Sequence, residues 1–277
     1  NDDGHNVLHS LLTGESQGYY ADYREDSTRK LVRFLGEGFV YQGQQDRRGH
    51  ARGEPSGYLS PTSFVLFLQN HDQIGNRAFG ERLITLAEPD ALRAATALLL
   101  LSPMIPLLFM GEEWGAREPF LFFTSHHGEL ADAVREGRRG EFAEFSEFAD
   151  EATRARIPDP NAAETFEASR PNFTRVDSEW ADLYRQLLEI RHREIVPRLQ
   201  GTAFLGATAL GEAAVLAHWR LGDGSRLRLE LNLSLQQVAL VPAPAKARLL
   251  HDSRKNNTDA GLLPPYTARI HLEDINE

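Results

Sequence analysis

Three consecutive polar residues, Asn70-His71-Asp72, follow the apolar run Ser63-Phe64-Val65-Leu66-Phe67-Leu68, with only Gln69 between them. An amide, an imidazole and a carboxylate together are costly in a core and natural on the floor of a pocket. The carboxylate accepts hydrogen bonds and the imidazole can donate one, so Asp72 and His71 could grip two adjacent hydroxyls of a sugar. The same residues also have a purely local use, because Asn70 or Asp72 could cap the backbone N–H groups of a following turn. A second constellation ends another apolar run. Met104-Ile105-Pro106-Leu107-Leu108-Phe109-Met110 leads into Gly111-Glu112-Glu113-Trp114-Gly115. There Trp114 could stack on a sugar face or pack at a rim, and Glu113 could bind hydroxyls or simply face solvent.

Other reactive groups form poorer patterns. His5 and His9 have the i, i+4 spacing that can present two imidazoles to a metal, but no third ligand in a metal-binding pattern accompanies them. Structural or substrate-side roles are preferred, and no metal is assigned. The sequence has no cysteine, which excludes disulfides, thiolate catalysis and cysteine-ligated zinc. It has no phosphate-cradling glycine loop and no Ser-His-Asp signature, and no cofactor is implied.

The elements that must position these groups follow from periodicity. Val7, Leu8, Leu11 and Leu12 mark a short amphipathic helix ended by Gly14, and a second helix is predicted from about Ser27 to Leu35, stopped by Gly36. Residues 40–62, rich in Gly, Arg and Gln with Pro55 and Pro61, read as a long loop. The run 63–68 suits a strand buried on both faces, a helix is predicted from about Asp90 to Leu101, and 104–110 is a second such strand. That order is a right-handed βαβ unit. A helix over 129–148 would bury Leu130, Val134, Phe142, Phe145 and Phe148. Residues 157–173 read as a Pro/Asn-rich loop, and Trp180, Leu183, Tyr184, Leu187 and Leu188 give a helical stripe to about Glu194. After Gly201 come short β-like runs, Ala214–Arg220, Arg226–Leu233, Gln237–Val241, Ala247–His251 and Ala268–Leu272, read as a small antiparallel sandwich.

Composition bounds the partners. The 277 residues are 41% hydrophobic and 25% charged, an ordinary globular mixture. The net charge of -10 repels nucleic-acid phosphates and suits a neutral substrate, and the basic clusters, such as Arg47-Arg48 and Arg138-Arg139, are short. No nucleic-acid partner is expected. The longest apolar stretch, Ala94 to Met110, is broken by Thr96, Ser102, Pro103 and Pro106, so no membrane span is expected either. The sequence opens on the polar Asn1-Asp2-Asp3-Gly4-His5 with no signal-peptide pattern, and a cytoplasmic location is expected.

The string Phe67-Leu68-Gln69-Asn70-His71-Asp72-Gln73-Ile74-Gly75-Asn76-Arg77 resembles the fourth sequence motif of the α-amylase superfamily in the form found in maltooligosyltrehalose trehalohydrolases. Asn1-Asp2-Asp3 with His5 and His9, Gly18-Tyr19-Tyr20-Ala21-Asp22-Tyr23, Phe109-Met110-Gly111-Glu112-Glu113-Trp114-Gly115, Pro119-Phe120-Leu121-Phe122-Phe123-Thr124 and Ile157-Pro158-Asp159-Pro160 with Thr165-Phe166 are similar to that family too. These strings run in order from residue 1 to about 173.

The resemblance implies an α/β fold: the last portion of a (β/α)8 TIM barrel over residues 1–198, then a C-terminal antiparallel β-sandwich domain over 199–277. It implies a retaining glycoside hydrolase acting on maltooligosyltrehalose or a related α-glucan. In such an enzyme one carboxylate attacks the anomeric carbon, a carboxylic acid protonates the leaving oxygen, and a third carboxylate stabilises the oxocarbenium-like ring. Asp72 matches that third role. Asn70, His71, Gln73, Ile74, Gly75, Asn76, Glu113 and Trp114 would line the substrate site, and Asp3 would sit near the cleft at the end of the sixth strand. The nucleophile and acid belong to motifs that should precede Asn1 and are not found here. Arg175-Val176-Asp177 imitates the nucleophile motif, but it follows the Asn-His-Asp motif, lacks a leading strand and runs straight into a helix, so Asp177 or Ser178 is expected to be that helix's cap. Without the upstream part, the isolated chain would expose a strand edge and an open face and is expected to be poorly stable and inactive. Rival readings are a branching enzyme or another amylase, or a non-catalytic glucan-binding fragment.

Overall fold

The computed structural model describes residues 1–143, 145–254 and 261–274. In chain order the helices are α1 (Asp2–Thr13), α2 (Ala21–Arg24), α3 (Ser27–Glu37), α4 (His71–Gly75), α5 (Leu83–Leu86), α6 (Pro89–Leu101), α7 (Gly128–Glu141), α8 (Glu151–Ala155), α9 (Ala163–Ala168) and α10 (Ser178–Ile190). The strands are β1 (Val65–Leu66), β2 (Ile105–Pro106), β3 (Ala203–Gly211), β4 (Ala214–Arg220), β5 (Arg226–Asn232), β6 (Val238–Ala239), β7 (Arg248–Asp252), β8 (Leu262–Leu263) and β9 (Thr267–Glu273). The chain forms two compact units. The first comprises Asn1–Leu68, Ala87–Leu107 and Asp182–Glu277, and the second comprises Gln69–Leu86 and Leu108–Ala181.

In the first unit, α1 starts where the Asn1 side chain accepts the Gly4 N–H and ends at Gly14, whose φ of 77° is the left-handed cap expected of it. Helix α3 runs past Gly36, the expected stop, to Gly38 at φ 83°. Gly36 is small for another reason: a Cβ there would lie 2.5 Å from the Phe204 ring of β3. The long loop is anchored from α1. Asp3, buried, accepts the N–H groups of Val40 at 2.8 Å and Tyr41 at 3.3 Å, and it also accepts the Tyr23 hydroxyl. Arg52 closes this cluster over the Tyr41 ring at 4.4 Å.

The two apolar runs do form a parallel pair joined through α6, with Val65 opposite Ile105 and Leu66 opposite Pro106. The regular ladder is shorter than the runs suggest, two residues in each strand. Bonds from Ile105 N–H to the Phe64 carbonyl (3.0 Å) and from Leu107 N–H to the Leu66 carbonyl (2.8 Å) hold it at both ends. Helix α6 is capped by Glu88, whose carboxylate accepts the Ala91 N–H at 2.9 Å, with Pro89 at its first position. Its Ala94, Ala95, Leu98, Leu99 and Leu101 are fully buried. Arg191, in the π turn that continues α10, donates to the carbonyls of Leu100 (2.9 Å), Ser102 (2.7 Å) and Met104 (2.8 Å), tying the end of α6 to the start of β2.

The region after Gly201 is a five-stranded antiparallel sheet, ordered β3-β4-β5-β9-β7, beside a separate two-stranded ladder of β6 and β8. β3 was not among the expected runs. Its sequence, AFLGATALG, is rich in small residues of low strand propensity, and pairing with β4 makes it a strand. β5 is buried on both faces, with Leu227, Leu229 and Leu231 on one and Arg228, Glu230 and Asn232 on the other. The charged face is paired internally: Arg228 lies 2.7 Å from Glu230, and Arg269 of β9 lies 3.1 Å from Asp252 of β7.

In the second unit the helix expected over 129–148 is broken. Helix α7 stops at Glu141, a 3-10 turn follows at Ser146–Phe148, and residue 144 lies outside the described residues. Leu130, expected to be buried, is 55% exposed. Phe142 and Phe148 are buried as expected, in a cluster with Ala78 and Ile157 against which Phe79 and Phe145 pack. The supposed loop 157–173 contains α9. Asp177 does cap α10, accepting the N–H groups of Glu179 at 3.0 Å and Trp180 at 3.3 Å.

Candidate functional site

Asn70 takes the local, capping use that the sequence allowed. Its side-chain oxygen accepts the N–H groups of Asp72 (2.8 Å) and Gln73 (3.3 Å), so it is the N-cap of α4. With the cap supplied by Asn70, the Asp72 carboxylate and the His71 ring project outward. Both side chains are 67% exposed, and His71 Nε2 lies 3.4 Å from Asp72 Oδ1. Ile74 and Gly75 are buried, Gln73 is half-buried and Asn76 is exposed. A turn rooted by Ile74 thus presents an adjacent imidazole and carboxylate.

Gln69 is a bridge that motif reading passed over. Buried, it accepts the Leu83 N–H at 3.0 Å and donates to Glu112 Oε2 at 3.1 Å. Burial, with help from the charge of Glu113, pushes the Glu112 carboxyl up to about 8, against the opposing pull of Gln69 and Arg82. Arg82, also buried, donates to the carbonyls of Glu118 (2.7 Å) and Met110 (2.8 Å) and lies 5.2 Å from the centre of the Phe109 ring. Glu112 and Arg82 are therefore interior supports of the loop that carries Glu113 and Trp114. In that loop Gly111 (φ 94°) and Gly115 (φ 71°) are left-handed, and a Cβ on Gly111 would lie 2.7 Å from that of Ala116. Glu113 turns back to accept the Gly111 N–H at 2.9 Å. Trp114 is half-buried beside the exposed Phe173 ring at 5.2 Å.

The raised Glu112 carboxyl has a testable sign. From the ordinary value of 4.5 up to about 8 the folded protein keeps a proton that the unfolded chain has released. Stability should therefore fall as pH rises through this window, and Glu112→Gln should flatten the slope. Urea midpoints for both proteins, taken at about pH 5 and about pH 8.5, measure it.

Asp3 belongs to the first unit, where its oxygens are occupied by the loop anchor described above. In the same unit His5 donates from Nδ1 to the Leu68 carbonyl at 2.6 Å, and His9 stacks on Tyr20 with ring centres 4.0 Å apart while Nε2 meets Glu15 at 2.9 Å. Among the described residues no group of three or more His, Cys, Asp or Glu side chains is placed to hold a metal. No helix among them is long and apolar enough to cross a membrane.

Residues 202–270 match the family described as "Domain of unknown function (DUF3459)". The chain is 41% identical over 254 residues to a malto-oligosyltrehalose trehalohydrolase of Deinococcus radiodurans, covering 84% of this chain and 41% of that protein. It is 39% identical over 283 residues to the enzyme of that name from Brevibacterium helvolum, and 35% identical over 279 residues to that from Rhizobium sp. strain M-11, covering in each case 97% of this chain and 45% of the relative. A Salmonella typhimurium protein solved as a "Putative alpha Amylase" superposes with a TM-score of 0.88 at 42% identity, over 99% of this chain and 46% of that one. The chain thus spans less than half the length of the relatives it matches. Over that span it is related in sequence to the malto-oligosyltrehalose trehalohydrolases.

Proposed function

We propose that this chain is part of a retaining glycoside hydrolase that cleaves the α-1,4-glucosidic bond next to the terminal trehalose unit of maltooligosyltrehalose and releases trehalose. The observation that carries the reading is the Asp72–His71 pair, exposed and adjacent on a turn whose cap is already supplied by Asn70. An ionised carboxylate in that position can hold the sugar hydroxyls in the ground state. It stabilises positive charge as the ring flattens, an interaction that strengthens in the transition state. His71 would share the same sugar, with Gln73, Ile74, Gly75 and Asn76 as the surrounding wall and Trp114 and Glu113 contributing from the neighbouring loop. The attacking carboxylate and the proton donor belong to motifs not found in these 277 residues.

The parallel pair β1–β2 with α6 between them supports placing residues 1–198 in a (β/α)8 barrel. The match over 202–270 supports treating 199–277 as the C-terminal β domain. The enzyme would be cytoplasmic and take part in trehalose formation.

The test uses the complete gene product with purified maltooligosyltrehalose, reading trehalose release by chromatography. Trehalose as the disaccharide product is the expected result. New branches on a linear glucan would redirect the reading to a branching enzyme, maltooligosaccharides from unmodified glucan to another amylase, and binding without turnover to a glucan-binding protein.

A further inference from the structure

Arg138 looks at first like one of a surface pair with Arg139, yet its side chain is buried. One of its terminal nitrogens, Nη2, donates to the Gly75 carbonyl at 2.7 Å and to the Arg77 carbonyl at 2.8 Å. The other, Nη1, is held by Glu141 at 3.0 Å. The guanidinium lies 4.7 Å from the centre of the Phe142 ring and 5.2 Å from that of Phe122. Burial lowers its affinity for a proton, with Glu141 opposing, and a guanidinium stays charged under that pull.

The two carbonyls that Arg138 holds end the turn that Asn70 begins. Helix α4 has fewer than two turns of backbone to fix its pitch, and short isolated helices are marginal. Its N-terminal end is fixed by Asn70. Its C-terminal end is fixed by a charged donor 63 residues away in sequence. The residues that follow the turn, Ala78 and Phe79, pack on Phe142 and Phe148, so the 128–157 excursion grips the same segment by apolar contact as well.

We propose that Arg138 is a positioning residue for Asp72: the 128–157 excursion is a clamp that fixes the pitch of the His71–Gly75 turn, and Arg138 is its central contact. Arg138 touches no reacting atom in this scheme and acts only through the turn. The inference rests on the hydrolase reading given above, and the experiment separates the two.

In the complete gene product, kcat and KM for maltooligosyltrehalose are measured for four proteins: wild type, Arg138→Met, Asp72→Asn and the double variant. Arg138→Lys and thermal melts of each are added. Misplacing a catalytic group by about an ångström lowers rates on the order of 10- to 100-fold. Arg138→Met is therefore expected to lower kcat by about that factor with KM changed by no more than about threefold. The same substitution in the Asp72→Asn background should lower kcat by less than about threefold, because there the turn has no carboxylate left to aim. Arg138→Lys, which keeps the charge but cannot fork in the same plane, should recover part of the loss. Equal losses in both backgrounds, a change in KM alone, or an activity loss matched by unfolding at the assay temperature would each overturn the clamp while leaving the hydrolase reading standing. A wild type that releases no trehalose would remove the hydrolase reading, and the clamp with it.

Discussion

Asp72→Asn in the complete enzyme should lower kcat by roughly 10²- to 10³-fold and leave KM within a small factor, the range seen when one group that stabilises transition-state charge is removed. The asparagine can still accept a hydrogen bond from a sugar hydroxyl, so ground-state binding persists. What disappears is the negative charge facing a ring that becomes positive only as the bond breaks. The substitution should fold normally, since Asp72 is exposed and its backbone N–H, not its side chain, makes the capping bond to Asn70. Steady-state kinetics with a melting curve of the variant checks both halves. A variant with raised KM and unchanged kcat would assign Asp72 to binding alone.

The largest effect on stability is expected at Arg191. Burial pulls its guanidinium down to about 10, and its three donated bonds go to the carbonyls of Leu100, Ser102 and Met104. Arg191→Met fills most of the volume but leaves those acceptors in the interior without their charged donor. An orphaned buried polar group costs about 1–3 kcal/mol. Some of the acceptors will find partial compensation, so the expected loss is about 3–5 kcal/mol, in the range for breaking a buried charged network. Arg191→Lys should fall between, since one ammonium cannot span three carbonyls with the same geometry. Urea denaturation read by circular dichroism gives the comparison, and a loss below about 1 kcal/mol would mean that the network is dispensable.

How much of this was legible in the sequence differs by element. α1, α6 and α10 announce themselves through apolar patterning with an end signal, Gly14, Ser102 and Asp177 respectively, whereas the caps Asn1 and Glu88 emerge only from the structure. The Asn70-His71-Asp72 constellation is legible because three polar groups at the end of an apolar run have few other reasons to be there. What sequence leaves hidden is partnership across distance. Gln69 meets Glu112 from 43 residues away, and nothing local marks either as a buried bridge. Arg138 reads as half of a basic pair until Gly75 is seen beneath it. Gly36 reads as the stop of α3, yet the helix runs on to Gly38, and both glycines lie against aromatic rings, Phe204 and Phe64, that leave no room for a Cβ. α9 was missed because the flanking Pro and Asn residues outweighed six helical ones, and β3 because its strand character comes from its neighbour more than from its residues.

The packing of α6 has a consequence for the order of events in the cell. The helix packs beside β5 and β9, which lie far downstream in the chain. A nascent polypeptide grows at about 5–20 residues per second, so on the order of 10 s separates the synthesis of Leu101 from that of Thr267. Throughout that interval α6 lacks part of the surface it packs on in the folded protein. The last step in burying α6 therefore waits on strands made about 130 to 170 residues after it, which makes its leucines a surface that the growing chain must keep from other partners until then.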